Sequence, residues 1–458
     1  MKSSPDRVSY ARMNIEALIA KYDQRVPRYT SYPTAPHFQP MDSDATCRAW
    51  LADLDSELSL YLHVPFCASL CLFCGCNMTV ARQDAPMLAY AENLMAEIDL
   101  VADAIGRRLK VRHVHWGGGT PTALPAAAMP AISDKLRARF DFAADAEIAV
   151  EVDPRTLSAS GLGAIAAMGT TRASLGVQDF DPKVQACIGR IQSYETTADC
   201  ADRLRGVGVT SLNLDLIYGL PHQTQGGVAA TIGQALKIAP DRLAMFGYAH
   251  VPWMKKHQAL IPDSALPGPA ERFAQRETAD RVIGDAGYQA IGIDHFARPD
   301  DSLAVSARNA RIKRNFQGYT TDDAPALIGL GASSIGALPQ GYIQNHPGVP
   351  AWRDAIRAGR LPVARGVALT AEDRLRRDVI EQVMCQFAVD LGATEAAHGF
   401  APGTLLTDAL DGLASDGLVV RSGRTIRVTE AGRPFVRAVA ACFDSYLQAG
   451  EQRHSSAV

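Results

Sequence analysis

Between residues 58 and 296 the chain alternates short β-branched or aromatic runs with longer stretches of helical periodicity. LSLYLHV, VRHVHW, EIAVEV, RASLGV, LNLDLIYG, RLAMFGYA and YQAIGI read as strands. Between them MLAYAENLMAEIDLVADAIGRRL, PAAAMPAISDKLRARF, YETTADCADRLRGVG and AERFAQRETADRVIGDAG read as helices. Repeated βα units call for a parallel sheet with helices outside it, built as a full or partial (β/α) barrel. Chemistry in such folds sits where the strands end, and the unusual residues fall there. Cysteines follow the first strand, GGGTP the second, EVDP the third and GVQD the fourth, while NLDLIYGLP and YAHVP close the fifth and sixth. Six strands delivering glycines, carboxylates and amides to one rim predict a single active-site wall.

The flanks have a different texture. The N-terminal segment carries one short helical pattern and then VPRYTSYPTAP, whose prolines favour extended backbone expected to pack across another surface. After GIDHFARPDD and RIKRNFQGYTT, the stretch LIGLGASSIG reads as a Gly/Ser-rich loop that closes back on the rim. From about residue 370 come helix-forming segments and then GLVVRSGRTIRVTEAG, a hairpin signal with Ser-Gly between its two runs. The expected organisation is an N-terminal extension over 1–57, a catalytic α/β unit with a flanking sheet extension over 58–365, and a helical, winged-helix-like unit over 366–458. A chain of 458 residues suits one large and one smaller domain.

Composition narrows the function classes. The balance of 46 basic against 49 acidic residues argues against a polyanion-binding protein, and the few arginines of RSGRTIR are a thin nucleic-acid footprint. No leader pattern and no apolar run of about 18 residues stands out, so a cytosolic protein without a membrane span is expected. Cys47, Cys187, Cys200, Cys385 and Cys442 are scattered singly, the pattern of small buried hydrophobes in a reducing compartment.

The other four cysteines lie within CASLCLFCGC, directly after the first strand. Structural zinc usually takes ligand pairs on two separate knuckles, and no second pair follows here. A four-cysteine cluster site is a further option, although C-x-C presents adjacent side chains awkwardly to two corners of one cube. The remaining option is a cluster on Cys67, Cys71 and Cys74 with one iron open to a small ligand. C-x3-C-x2-C after the first strand of a βα barrel resembles the radical S-adenosylmethionine (SAM) superfamily, in which that iron is chelated by SAM and cleavage releases a 5′-deoxyadenosyl radical. Gly117, Gly118 and Gly119 offer bare backbone to an amino acid zwitterion. Glu151 and Asp215 suit ribose hydroxyls or an ammonium, and Arg190 suits a carboxylate bidentately.

YLHVPFCASLCLFCGC, WGGGTPT, IAVEVDPRTL, RASLGVQDFDPKVQ, LNLDLIYGLPHQT, GIDHFARPDD and RNFQGYTT together resemble the oxygen-independent coproporphyrinogen III oxidase family. The likeness runs from PRYTSYPTA to ACFDSYL, nearly the whole chain. It implies a partial (β/α)6-type radical SAM barrel that converts the ring A and B propionates of coproporphyrinogen III to vinyl groups. One [4Fe-4S] cluster on Cys67, Cys71 and Cys74 and two SAM molecules are implied, with a low-potential electron donor. The first SAM is expected at Tyr61, Gly118, Glu151 and Ile335. The second is expected at Phe73, Gly119, Thr120, Gln178, Arg190, Asp215 and Ala249. Tyr61 and His63 share one strand face, and with Cys76 they are the expected catalytic residues, Cys76 acting near the reaction and not on the metal. A monomer is the simplest expectation.

Leu72 and Met78 depart from the family pattern, where an aromatic residue and a lysine are more usual, which leaves substrate contacts around this loop open. A substrate with four carboxylates needs local positive charge, for which Arg298, Arg311, Lys313 and Arg314 are candidates. The rival readings are a haem-binding chaperone, whose relatives lack a cysteine at the Cys76 position, and an anaerobic haem-modifying radical enzyme on the same fold.

Overall fold

A computed structural model describes residues 15–41, 44–405 and 408–447. The first six sequence-read strands form as β1 (Leu58–Val64), β2 (Lys110–Gly118), β3 (Asp141–Val152), β4 (Arg172–Gln178), β5 (Ser211–Tyr218) and β6 (Arg242–Gly247). They lie side by side in chain order and all run parallel. Helices connect each strand to the next, and three of them start on a hydroxyl cap: Ser158, Ser193 and Thr224 each accept a backbone N–H of the first turn.

Two stretches differ from the expectation. YQAIGI supplies only β7 (Gln289–Ile291), which pairs antiparallel with β8 (His295–Ala297), and it is β8 that pairs antiparallel with β6. HFA therefore lies beside the sixth strand, and the parallel run stops there. LIGLGASSIG is not a loop: its first half belongs to β9 (Ala326–Leu330), which joins the parallel set on the other side of β1, and Ile335 opens β10 (Ile335–Leu338). The glycine that disguises this strand has a packing reason, since a Cβ at Gly329 would sit 2.8 Å from the backbone of Ile335. β11 (Gly341–Asn345) and β12 (Val363–Ala368) continue antiparallel, completing most of one open thirteen-stranded sheet.

The sheet's two faces are chemically opposite. Along β5, Leu212, Leu214 and Leu216 are fully buried among the helices, each contributing about 1.5–3 kcal/mol. Ser211, Asn213 and Asp215 alternate with them and face inward. β4 repeats this with Ala173, Leu175 and Val177 outside and Arg172, Ser174 and Gly176 inside. At the N-terminal end of the strands the concave face is closed by ion pairs, Arg172 to Glu147 at 2.7 Å and Arg242 to Asp301 at 2.8 Å, with Ser59 bonded to Asp322 at 2.8 Å. The other end is the open one.

A second core forms around the helix Ala371–Gln386, which begins on a Thr370–Asp373 capping box. Its hairpin turns at Gly423-Arg424, one position later than Ser-Gly, because Ser422 pairs with Thr425 and Gly423 supplies the positive φ. Leu18, Tyr22, Tyr29 and Tyr32 of the N-terminal segment are buried in this core. Tyr29 bonds to Asp444 at 3.1 Å and Tyr32 to Ser445 at 2.9 Å.

Candidate active site

A cavity opens at the C-terminal ends of β1 to β5. It is lined by Cys67, Cys71, Phe73, Cys74 and Cys76 of the cysteine loop, by Gly118, Gly119 and Thr120 after β2, and by Glu151, Gln178, Arg190 and Asp215. Twelve residues singled out in the sequence thus share one wall. Asp153, Arg155, Ser174, Gly176 and Met78 line it too and were not singled out as site residues. Asp153 was visible as the carboxylate of EVDP, but nothing in the sequence ties it to the cysteines.

Each of the three spaced cysteine sulfurs has a hydrogen-bond partner. The Thr120 hydroxyl lies 3.5 Å from Cys67 Sγ, Arg155 and Arg190 donate to Cys71 Sγ at 3.5 and 3.7 Å, and the Cys76 N–H donates to Cys74 Sγ at 3.4 Å. The Cys74 thiol is held below its ordinary pKa, first by the hydrogen bond from the Cys76 thiol and also by the charges of Lys255 and His257. No group of three His, Cys, Asp or Glu among the described residues is gathered closely enough for a single metal ion. Three thiols spread around one cavity edge, each with a hydrogen-bond partner, fit the corners of a larger cluster.

The loop carrying them is clasped from the excursion after β6. Lys255 donates to Cys76 O at 2.9 Å, His257 Nε2 meets Cys74 O at 2.7 Å, and the buried Gln258 donates to Phe73 O at 2.8 Å. Three carbonyl groups of the loop's second half, those of Phe73, Cys74 and Cys76, are thereby fixed without using its side chains.

The glycine loop is rigid. Gly118 has φ +115°, and a Cβ there would lie 2.6 Å from the His63 ring; one at Gly119 would lie 2.7 Å from Phe66 O. Its N–H groups are already used: Gly118 donates to Glu151 at 3.1 Å, Gly119 to Val64 O at 2.8 Å and Thr120 to Phe66 O at 2.7 Å. These glycines let the loop pack against the His63 ring and the Phe66 backbone, and they do not present a set of free N–H donors.

Below the rim, Tyr61 and His63 form one unit with Asn77. Burial pushes the Tyr61 phenol well above its ordinary value and His63 below its own, so both are neutral. The phenol donates to His63 Nδ1 at 3.1 Å and Nε2 donates to Asn77 O at 2.9 Å, a tautomer assigned from these partners. Tyr61 also stacks on His115, with centroids 5.9 Å apart. His115 bonds to Glu151 at 3.1 Å. Burial penalises the Glu151 charge, but the hydrogen bonds from His115 and the Gly118 N–H outweigh it and hold the carboxyl below its ordinary range.

Asp215 is the reverse case. Burial, reinforced by the Glu151 charge, pushes its pKa up to about 6 despite hydrogen bonds from Ser174 at 2.9 Å and Asn213 at 2.7 Å. Arg190 does meet a carboxylate with both nitrogens, but the partner is Asp153, at 3.3 and 3.2 Å. Gln178 ends β4 with φ 72°, a left-handed backbone that a non-glycine residue adopts at a cost of about 1–3 kcal/mol. Ala249 and Ile335 lie outside this cavity. Ala249 lines another at the end of β6, and Ile335 packs its backbone over Gly329, the residue in register with Tyr61.

The four basic candidates separate. Arg298 bonds its N–H to Asp241 O, just before β6, which places it at the closed end of the strands. Arg311 is exposed, and Lys313 pairs with Glu381 at 3.1 Å. Arg314 alone turns toward the open end, where it stacks on Tyr319 at 4.5 Å and donates to Arg28 O at 3.3 Å.

Residues 61–235 match the family model of the Radical SAM superfamily, and residues 369–435 match that of the HemN C-terminal domain. With the cysteine loop after the first strand of an open parallel sheet, this makes the protein a radical SAM enzyme, a class that uses a [4Fe-4S] cluster and SAM. The chain is similar to the oxygen-independent coproporphyrinogen III oxidase of Bradyrhizobium diazoefficiens, 49% identical over 97% of this chain and 100% of the relative. The protein of that name from Escherichia coli K12 is 42% identical over 94% of this chain and 95% of its own. The solved E. coli coproporphyrinogen III oxidase (HemN), described as a radical SAM enzyme, superposes with a TM-score of 0.87 at 40% identity, covering 93% of this chain and 100% of that one. The chain belongs to the oxygen-independent coproporphyrinogen III oxidase family, oxidoreductases of porphyrin biosynthesis.

Proposed function

We propose that this enzyme removes hydrogen and carbon dioxide from the ring A and B propionates of coproporphyrinogen III, leaving two vinyl groups and giving protoporphyrinogen IX. The observation that carries the reading is the meeting of three donor-supported thiols with Glu151, Asp215 and the Gly118-Gly119 backbone in one cavity. Cys67, Cys71 and Cys74 would hold the cluster, which in its reduced state would supply the electron for cleavage of SAM to methionine and a 5′-deoxyadenosyl radical. The propionate loses a hydrogen atom from its β-carbon to that radical, then one electron to an external acceptor and its carboxylate as CO2.

The residues around the cavity divide the binding between two SAM molecules. Tyr61, Gly118, Glu151 and Ile335 serve the cluster-side molecule. Phe73, Gly119, Thr120, Gln178, Arg190, Asp215 and Ala249 serve the second, with Asp215 as the carboxylate for its hydroxyls or ammonium. Tyr61 and His63 brace the Gly118 backbone. Cys76 faces the cavity without being a cluster ligand, where it is placed to act on the reacting substrate. The same reading divides the chain at 57 and 365, with the N-terminal extension covering the site, and includes a cytoplasmic monomer fed by a low-potential electron donor. No helix among the described residues is long and apolar enough to cross a membrane.

The test is anaerobic reconstitution with iron and sulfide, then SAM, a low-potential reductant and coproporphyrinogen III. Protoporphyrinogen IX is the expected product. Cleavage of SAM with all four propionates intact would sink the substrate assignment while keeping the enzyme class.

A further inference from the structure

A second cavity opens at the end of β6, where Gly247 to His250 pass between the N-terminal segment, the helix Pro269–Asp285 and the C-terminal unit. Five arginines line it, Arg25, Arg28, Arg272, Arg276 and Arg437, against two carboxylates, Asp23 and Asp294. Asp294 is already bonded to His295 at 2.7 Å. Tyr218, Met245, Tyr248, Trp253 and Ile293 supply apolar wall between the charges.

Arg28 and Arg272 differ in their partners from the buried arginines elsewhere in the chain. Arg172, Arg190 and Arg242 each face a carboxylate within 3.2 Å. Arg276 likewise lies 3.9 Å from Asp280, whereas Arg28 and Arg272 are positioned by backbone carbonyls. Arg28 donates to Gly247 O at 3.4 Å, Arg272 to Tyr248 O at 3.0 Å and Arg276 to Pro434 O at 3.3 Å. Arg437, only 7% exposed, donates to Pro27 O at 3.0 Å and to Val26 O. Arg272 Nε is buried with no hydrogen-bond partner. Neutral acceptors orient the Arg28 and Arg272 guanidinium groups without cancelling their charge, in a partly desolvated setting.

We infer that this cavity is the cradle for the substrate's carboxylates, with Arg28 and Arg272 binding propionates while the apolar wall meets the pyrrole rings. The inference rests on the proposed function, which supplies a ligand with four carboxylates on an apolar macrocycle. Burial and the nearby charges of Arg28 and Arg314 bring the Arg437 pKa down to about 9, which reflects how closely the cations crowd. The location suits the chemistry: Ala249 belongs to this cavity, and Tyr218 stands three positions after Asp215 on the same strand. A substrate anchored here reaches the cysteine-lined cavity across the end of β6.

The test uses the reconstituted holoenzyme and the fluorescent oxidised porphyrin, coproporphyrin III, as the probe. Arg28→Gln and Arg272→Gln are each expected to weaken its binding about tenfold or more and to raise KM for coproporphyrinogen III, with cluster absorbance and SAM affinity kept. Arg298→Gln, at the closed end, controls for net charge and should bind as wild type. The tetramethyl ester of coproporphyrin III should bind wild type and both variants alike. Unchanged coproporphyrin III binding in both variants, or a loss of SAM affinity in its place, would overturn the cradle while wild-type turnover still supports the function. A wild type that neither binds the porphyrin nor makes protoporphyrinogen IX would overturn the function and the cradle together.

Discussion

Gly118→Ala probes how firmly the rim is built. The added Cβ would stand 2.6, 2.7 and 2.9 Å from Cε1, Nδ1 and Nε2 of His63. That ring cannot swing away freely, because it is pinned by Tyr61 at 3.1 Å and by Asn77 O at 2.9 Å. Forcing it aside gives up two hydrogen bonds worth about 1 kcal/mol each. The φ of +115° adds a backbone penalty of about 1–3 kcal/mol for any residue with a Cβ. A loss of about 3–5 kcal/mol follows, lowering the thermal midpoint of the apoprotein by about 3–8 °C. Gly75, in the cysteine loop, is the internal control: nothing lies within 4 Å of a Cβ built there, so Gly75→Ala should match wild type. Circular dichroism melts of the three proteins read the stability, and equilibrium dialysis with SAM reads the site. A Gly118→Ala variant that melts and binds SAM like wild type would refute the account of the glycine loop as a close-packed platform.

Cys67→Ser, Cys71→Ser and Cys74→Ser should each lose the visible charge-transfer absorbance, whereas Cys76→Ser should keep it and lose turnover; loss of the chromophore in Cys76→Ser would make it a fourth ligand. Gln258→Ala, which frees Phe73 O and Ala249 O, should cost about 1–3 kcal/mol locally and speed iron release to a chelator, with unchanged release rates counting against the clasp. Asp215 keeps a proton in the folded protein up to about pH 6 that the unfolded chain gives up near pH 4, so its contribution to stability falls as pH rises through that window. Asp215→Asn should therefore melt higher than wild type at pH 7.5, by the equivalent of about 2–3 kcal/mol at most, with a smaller advantage at pH 5 and weaker SAM binding at pH 7.5. Equal destabilisation of that variant at both pH values would contradict the buried-charge assignment.

Much of this architecture was legible because its signals are local. Alternation along RASLGVQ and SLNLDLIY marks both the strands and the face each residue takes. The cysteine spacing and the polar strand ends locate the rim. What stayed hidden depends on partners distant in sequence. The carboxylate that engages Arg190 is Asp153, and Arg155 joins it in reaching Cys71, contacts no spacing announces. LIGLG hid a strand because its glycine is there for the neighbouring backbone of Ile335. The basic run before RNFQG drew attention by density, yet Arg28, Arg272 and Arg437 are scattered over three segments and meet only in the folded chain.

The division of the sheet into an apolar outer face and a polar inner one also bears on the order of assembly. The leucines, isoleucines and valines that hold the strands to their helices lie on the side away from the cysteines, and the ion pairs that close the inner face sit at the far end. Small metal-dependent domains unfold without their metal because the ligands are their core. Here the thiol-bearing loop lies at the edge of the packing, with Cys67 and Cys74 partly exposed and Cys71 alone of the three buried. The polypeptide can therefore finish folding as a stable, empty vessel, and iron and sulfide can be delivered to it afterwards through the open mouth.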